Sequence, residues 1–226
     1  MNKILSFICV LFLFASCGTT SKLTKQEAYA KLYEERPLTI AVMPPINNTN
    51  NVEAKEFLYY TLSQPLCEKG YYVIPTFLTM EMYQSESAYD SEQFIDGSVK
   101  RFNEVLGADA VLFTRIDKWE KAALASNIYV NIEYILKSAH TNEILFRRKG
   151  NITYDASVGG GGGGIFGALI ELTASAISTA ATDHIRVGRA CNNFTLSDMP
   201  AGTYNPNFDQ DQTLKAGLEE FSQKVK

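Results

Sequence analysis

The chain has 226 residues, of which 46% are hydrophobic, 12% are aromatic and 20% are charged, and its formal net charge is −4. This composition is typical of a globular protein and not of a disordered one. Because the basic residues form no block, nucleic acid is not predicted as a partner. The two histidines, His140 and His184, have no partner at the spacing of a metal site, so neither a metal nor a cofactor is predicted.

Residues 1–18 have the layout of a bacterial lipoprotein signal. Lys3 is followed by an apolar run at residues 4–14, then by two small residues and Cys17. The apolar run is about half of the ~20 residues that a membrane-spanning helix needs, which favours a cleaved signal. We therefore predict that residues 1–16 are removed and that lipid on Cys17 holds the protein on a membrane. The alternative is an ordinary secretory signal with a chance cysteine after the cleavage point.

Beyond the signal, the predicted organisation is a short anchored segment followed by one domain. Residues 17–36 are predicted to form a lipid-anchored tether and a short helix at 26–35. Residues 37–226 are predicted to form a single α/β domain, which is long enough to enclose a hydrophobic core.

The first half of this domain is predicted to alternate strands and helices. Residues 38–43 are apolar and β-branched and end at a Pro-Pro pair, which predicts a buried strand, and residues 71–74 predict a second one. An asparagine-rich loop at 47–51 follows the first strand. Helices are predicted at 52–69, 77–84 and 92–106, with Gly70 and Gly107 as helix stops.

The second half is predicted to be an antiparallel meander followed by helices. Its strands are predicted at 110–116, 128–137 and 144–154, with a turn at 139–142. Residues 186–194 are predicted to be a helix or a strand, and residues 214–226 a short amphipathic helix. The predicted fold class is therefore α/β, more narrowly α+β, with helices packed on a mixed sheet and helices near the carboxyl end.

A glycine run and an apolar segment follow the meander. The six glycines at 159–164 lack the Gly-Lys-Ser/Thr ending of a phosphate loop, so they are predicted to be a hinge. Residues 165–181 have three alternative interpretations: a helix buried in its own domain, a helix in an oligomer interface, or a membrane-inserted segment that carries the costly Glu171. The small residues that would allow close helix approach are Gly163, Gly167, Ala168, Ser175 and Thr179.

The remaining cysteines are candidates for a disulfide but not for a catalytic role. Export would place Cys67 and Cys191 in an oxidising compartment where a disulfide is permitted, and the alternative is two buried thiols. Neither cysteine has the surroundings of a nucleophile, and no nucleophile elbow is present. No catalytic group of residues is found, so the chain is predicted not to be an enzyme.

Four segments together resemble a known family. They are residues 37–49, 65–75, 106–112 and 159–169, of which the Gly-Tyr-Tyr-Val and polyglycine stretches are the most specific. They resemble bacterial lipoproteins of unknown function typified by a genome-derived neisserial antigen. The resemblance implies a fold like the amino-terminal domain of TolB and like CsgG and PelC, and a periplasm-facing position on the outer membrane. It also implies a CsgG-like lipoprotein as a partner and provides no catalytic residues.

Two hypotheses of function follow. The first is a non-enzymatic envelope lipoprotein that assembles with itself or with a CsgG-like partner and serves transport or secretion. The second is a module that binds a small molecule or a glycan, for which a deep pocket near residues 47–51 would be the distinguishing feature. An envelope hydrolase is a third hypothesis that no sequence feature supports.

Overall fold

The computed structural model of the chain describes residues 20–85, 91–122, 127–156 and 184–226. The predicted signal and Cys17 lie outside these residues, and so do the glycine hinge and the apolar segment at 165–181 with its small residues. The predictions made for them therefore stay predictions. No helix in the described ranges is long and apolar enough to cross a membrane.

A mixed sheet forms the centre of the molecule. The described strands are β1 Thr20–Thr24, β2 Thr39–Val42, β3 Ile46–Asn47, β4 Tyr72–Val73, β5 Ala110–Lys121, β6 Asn127–Ser138, β7 Ile144–Asp155, β8 Lys215–Gly217 and β9 Glu220–Val225. The main sheet has the order β4-β2-β5-β6-β7-β9, with β3 also paired to β5, while β1 and β8 form a separate ribbon. Strands β4, β2 and β5 are parallel, β5, β6 and β7 form an antiparallel meander, and β9 is parallel to β7. The predicted mixed sheet with packed helices is confirmed.

Helices cover the two faces of the sheet unequally. The described helices are α1 Lys25–Ala28, α2 Ala30–Glu35, α3 Val52–Tyr60, α4 Ser63–Glu68, α5 Thr76–Ser85, α6 Glu92–Ile95, α7 Lys100–Leu106 and α8 His184–Leu196. Leucines of α3 and α4, together with Val187 and Cys191 of α8, join the larger core cluster on one face. Val99, just before α7, and Phe102 within it belong to a smaller cluster on the other face, over the end of the sheet nearer β4.

The remaining part of that second face is polar. Along β5 and β6 the apolar pair Phe113 and Ile135 gives way to the pair Arg115 and Glu133 two residues further on. On β7 the alternate residues Lys149, Asn151 and Thr153 continue the same side, because side chains two apart on a strand share a face. The meander therefore presents a polar face formed by β5, β6, β7 and β9, whereas its other side packs in the core.

The predicted helix at 52–69 is two helices, α3 and α4. Thr61 lies at the break, and its hydroxyl donates to the carbonyl oxygens of Phe57 and Leu58 at 2.9 Å and 3.0 Å. Pro65 is the third residue of α4 and not a late residue of one long helix. In the first turn of a helix an N–H has no intrahelical partner, so proline costs little there.

The helix predicted at 214–226 is wrong, because this segment forms β8 and β9. Phe221 points into the core and Ser222 to solvent, which is the alternation of a strand. Its hydrogen-bonding partner is β7, which lies more than 60 residues earlier in the chain. The tether predicted at 18–25 also differs, since Thr20–Thr24 is already β1 and pairs with β8. The short helix after it is confirmed but divided into α1 and α2.

Candidate functional site

A cleft of about 570 Å³ opens beyond the carboxyl ends of β2 and β4. Both strands run into proline there, β2 at Pro44-Pro45 and β4 at Pro75, so neither continues to close the edge of the sheet. In open α/β sheets, ligands are commonly bound beyond the carboxyl ends of parallel strands. We call this feature the aromatic cleft, and its lining residues are Pro44, Pro45, Lys55, Glu56, Tyr59, Tyr60, Thr76, Phe77 and Glu81.

Two adjacent tyrosines of α3 have different roles in the cleft. Tyr59 is buried, and its hydroxyl donates to the carbonyl oxygens of Val42 and Thr76, each at 3.3 Å. Burial raises the pKa of Tyr59, so this hydroxyl stays protonated and joins β2 to the start of α5. The ring of Tyr60 is 70% exposed. Of the two neighbouring rings, Tyr59 therefore lies in the core and Tyr60 faces solvent.

Phe77 is the second exposed ring of the aromatic cleft. It lies in the first turn of α5 and is 66% exposed, and the neighbouring Leu78 is 37% exposed. Isolated apolar side chains on a surface are normal, whereas aromatic rings grouped around a concave surface mark an interaction site. The site therefore combines a rigid floor at Tyr59 with two rings that face solvent.

The rim of the aromatic cleft carries both signs of charge. Lys55 and Glu56 come from α3, and Glu81 comes from α5. Among the described residues, the lining contains no histidine, cysteine or serine. Its chemistry suits binding by apolar contact with ionic contacts at the edge.

The asparagine side chains of the loop beside the cleft form hydrogen bonds within the protein. Asn47 accepts from the backbone N–H and the hydroxyl of Thr49 at 3.1 Å and 2.8 Å, and its amide donates to the carbonyl oxygen of Asn51. Asn51 caps α3 by accepting from the N–H of Ala54 at 3.2 Å. The amide of Asn48 donates to Asp117 at 2.9 Å. These side chains shape the loop, and the cleft next to it is not lined by them.

The disulfide that export would permit between Cys67 and Cys191 is not formed in the structure. Both are free thiols: Cys67 is exposed on α4, and Cys191 is buried on α8. Burial raises the pKa of Cys191 to about 12, so its thiol is protonated and packs as a small apolar group. The alternative of two buried thiols holds for Cys191 alone.

The two histidines, His140 and His184, lie in separate surroundings. At the turn after β6, Nε2 of His140 lies 3.2 Å from the carboxylate of Asp109. His184 stacks between Phe57 and Trp119, with ring centroids 5.8 Å and 5.9 Å away, and its Nδ1 accepts from the indole N–H of Trp119 at 3.0 Å. Across the described ranges, no three histidine, cysteine or carboxylate side chains are grouped as metal ligands.

A buried ion pair, which the sequence analysis missed, ties the amino-terminal helices to the carboxyl-terminal segment. Nζ of Lys25 lies 3.0 Å from the carboxylate of Asp211, and both side chains are 8% exposed. The same carboxylate accepts from the hydroxyl of Tyr33 at 2.8 Å and from the N–H of Ala201 at 3.1 Å. Burial raises the pKa of Asp211, but the hydrogen bonds from Lys25 and Tyr33 outweigh it and lower that pKa overall. The segment next to the predicted anchor is therefore fastened to the domain.

Comparison with known proteins places the chain among lipoproteins. The family model described as “Putative lipoprotein GNA1162-like” matches residues 27–202. A lipoprotein of Neisseria meningitidis serogroup B, NMB1124/NMB1162, is 23% identical over 157 residues, which cover 69% of this chain and 72% of the relative.

The chain is also similar to two solved structures. The crystal structure of lipoprotein GNA1162 from Neisseria meningitidis is 21% identical, with a TM-score of 0.47, and the match covers 65% of this chain and 100% of that one. The PelC dodecamer from Paraburkholderia phytofirmans is 13% identical, with a TM-score of 0.34, and the match covers 76% and 91% of the two chains.

Proposed function

The chain belongs to the GNA1162-like lipoprotein family, and from that premise we propose that it is a non-enzymatic envelope component that binds another protein through the aromatic cleft. It is held by lipid on Cys17 at the outer membrane, faces the periplasm and serves a transport or secretion assembly. The observation that carries the proposal is the pair of exposed rings, Tyr60 and Phe77, at the mouth of the cleft.

A protein segment suits this cleft better than a small molecule does. Pockets for small ligands usually enclose 70–90% of the ligand surface. Tyr60 and Phe77 are about two-thirds exposed at the mouth of the cleft, where the surface of a larger partner can cover both rings. Exposed aromatic rings around a concave surface are instead typical of protein interaction hot spots, where an apolar anchor of the partner fills the cavity. The mixed charges of Lys55, Glu56 and Glu81 then form a polar rim.

The anchor would place this cleft in a defined layer above the membrane. Only residues 18 and 19 separate Cys17 from β1, and an extended chain spans roughly 3.5 Å per residue. With the ion pair between Lys25 and Asp211 holding α1 to the domain, the domain would stay close to the membrane surface. Confinement to a surface raises the effective concentration of two anchored proteins and favours their association.

Site-specific photo-crosslinking tests the proposal. A photoreactive phenylalanine analogue replaces Tyr60 or Phe77 in the lipidated protein in intact cells, and Tyr204, which is 67% exposed and is not a lining residue, is the matched control position. We expect the same partner to be cross-linked from positions 60 and 77 and not from 204. Tyr60→Ala and Phe77→Ala should weaken its binding by at least about tenfold.

Two outcomes would overturn the proposal. If positions 60 and 77 capture nothing, or capture what 204 captures, the aromatic cleft is not the binding surface. If the purified protein instead retains a sugar or another small molecule that Phe77→Ala releases, the second hypothesis of a ligand-binding module replaces it. The anchor is tested separately by incorporation of a labelled fatty acid, which Cys17→Ser should abolish.

A further inference from the structure

Strand β9 is an open edge of the main sheet. It pairs with β7 on one side, and the described part of the chain provides no strand on its other side. The opposite edge, β4, is two residues long and is followed by Pro75, which protects it. By contrast, β9 has six residues, Glu220–Val225, and contains no proline. An edge of this length presents unpaired backbone groups to which another strand can bind.

The hydrogen bonds to β7 identify the backbone groups of β9 that point outward. The N–H of Lys149 donates to the carbonyl oxygen of Glu219 at 2.7 Å, while Lys149 is aligned with Glu220. In a parallel pair, residues that bond to the neighbouring strand alternate with residues whose N–H and C=O point away from it. The outward residues of β9 are therefore Glu220, Ser222 and Lys224. In agreement, the carbonyl oxygen of Lys224 accepts from the side-chain amide of Gln223 at 3.0 Å.

These three residues are complementary to a second copy of themselves. When two identical strands run antiparallel about a two-fold axis at Ser222, residue 222 faces itself and residue 220 faces residue 224. All three outward residues then form hydrogen-bonded pairs, which gives about six backbone hydrogen bonds between the copies. The same register places the carboxylate of Glu220 opposite the ammonium of Lys224 twice. Both side chains are exposed and lie on the polar face of the sheet, where Lys224 also forms an ion pair with Asp155 at 2.6 Å in its own chain.

We propose that two copies of this protein pair through β9, antiparallel and in register about Ser222, so that their main sheets become one continuous sheet. A shift of the axis to Phe221 places Lys224 opposite Leu218 and separates the opposite charges, whereas a shift to Gln223 places Glu220 opposite Lys226, beyond the end of β9. The register about Ser222 is therefore the one in which all three outward residues of β9 pair with one another. The pairing surface is at the far edge of the sheet from the aromatic cleft, so both can be occupied at once.

Membrane anchoring would strengthen this pairing. Two paired edge strands bury less surface than a stable soluble dimer of about 1,200–2,000 Å² requires. Confinement of both copies to one membrane raises their effective concentration and compensates for the small area. This step rests on the proposed lipid anchor, whereas the register depends on β9 alone.

Cysteine cross-linking in membranes tests the register. In the proposed pairing the Cα atoms of the two Ser222 residues are about 5.5 Å apart, within the range of a disulfide. Ser222→Cys in the full lipidated chain, in a Cys67→Ser background, should give a cross-linked dimer under mild oxidation. Asn151→Cys is the matched control on the same polar face, because its two copies would be about 14 Å apart, which is three strand spacings.

Charge reversal and proline substitution test the same surface without cross-linking. Glu220→Lys and Lys224→Glu should each weaken association about tenfold, and the double variant should restore it, because opposite charges then face each other again. Ser222→Pro removes an outward N–H and should abolish association while the thermal transition is preserved. Gln223→Pro removes an N–H that bonds to β7 and should lower the thermal transition itself.

The outcomes separate this inference from the proposed function. Equal cross-linking from residues 151 and 222, or an oligomer unaffected by Ser222→Pro and by charge reversal, would overturn the β9 pairing. A partner still captured from positions 60 and 77 in that case would leave the proposed function intact. If positions 60 and 77 capture no partner while Ser222→Cys still gives the cross-linked dimer, the β9 pairing stands and the aromatic cleft is not the binding surface.

Discussion

Glu133 shows how a single residue on the polar face is held. Its carboxylate is fully buried in the middle of β6 and lies between Arg115 of β5 and Arg147 of β7. Nε of Arg147 donates to it at 2.8 Å, and these hydrogen bonds raise the pKa of Arg147. The arginines are 35% and 46% exposed, so they keep contact with water while the carboxylate does not. The site is therefore a cross-strand clamp over the centre of the meander.

Glu133→Gln should destabilise the protein, because it leaves two arginines facing each other across a neutral group. We expect the free energy of unfolding to fall by roughly 2–3 kcal/mol, below the full effect of breaking a buried pair because the arginines remain hydrated. Glu143→Gln is the matched control, since its pair with Lys31 is half exposed and should contribute under about 1 kcal/mol. Urea unfolding measures both, and equal losses would contradict the clamp.

The two thiols should differ sharply in reactivity. Cys67 is exposed and should react with a maleimide in the native state, whereas Cys191 is buried with a pKa of about 12 and should react only on unfolding. Peptide mass spectrometry after labelling with and without denaturant measures this. If both were protected without reductant and both reacted after reduction, the two cysteines would form the disulfide that export permits.

Among the helices and strands, the local signals for helix ends and for a buried strand are read correctly from the sequence. The strand with which β9 pairs is not. Gly70 and Gly107 are predicted as helix stops, and both have positive φ, 87° and 66°. A β-branched apolar run before Pro-Pro predicts β2, which is confirmed. Strand β9 is missed because a segment with two core-facing residues, Phe221 and Val225, suits a helix or a strand equally. Its pairing with β7 decides for the strand, and that partner is distant in sequence.

Alanine substitution at the two glycines separates backbone conformation from packing. At Gly107 a new Cβ has no other atom within 4 Å. Gly107→Ala should therefore lower the free energy of unfolding by about 1 kcal/mol, because of the left-handed backbone conformation alone. At Gly70 a new Cβ would lie 2.3 Å from the backbone nitrogen of Asn205, so the chain itself must move. We expect Gly70→Ala to cost roughly 3 kcal/mol or more in the free energy of unfolding. Similar losses in the free energy of unfolding at both positions would show that the loop at 202–206 moves away from the new Cβ at little energetic cost.

At the scale of the whole molecule, the amino-terminal helices α1 and α2 are joined to the carboxyl-terminal segment. The ion pair between Lys25 and Asp211, with Tyr33 on the same carboxylate, holds α1 and α2 against the segment that leads to β8. Asp198 adds a second link, since it accepts from the hydroxyl of Tyr29 and from the N–H of Gly217. A pull on β1 would therefore be transmitted to the body of the domain.

The ion pair between Lys25 and Asp211 should make the free energy of unfolding fall at acidic pH. The pKa of Asp211 is lowered in the folded state, so its contribution is present above the unfolded value of about 3.9 and is lost as the pH falls through the lowered pKa. Asp211→Asn should be clearly less stable than the wild type at pH 7, and the difference should shrink towards pH 3. Urea unfolding at pH 7, 5 and 3 measures it.

The control for the acid dependence is Asp209→Asn. Asp209 forms an ion pair with the more exposed Arg36 at 3.0 Å and has a φ of 58°, which asparagine also tolerates. Its effect should be small at each pH. A difference between wild type and Asp211→Asn that stays constant from pH 7 to pH 3 would show that the carboxylate is not what holds the ends together.

Local physics is enough to predict the mixed α/β class, the apolar strands and the helix stops at glycine, and the order of the motifs is enough to indicate the family. Which distant groups meet depends on how the whole chain closes on itself. Tyr60 and Phe77 are separate surface aromatics in the sequence, and they share a cleft because β2 and β4 pair in parallel and both end at proline. Lys25 and Asp211 become an ion pair through the same kind of long-range closure. Periodicity and turn residues act over a few positions, whereas the energy of these contacts comes from burial and pairing between segments that the sequence holds far apart.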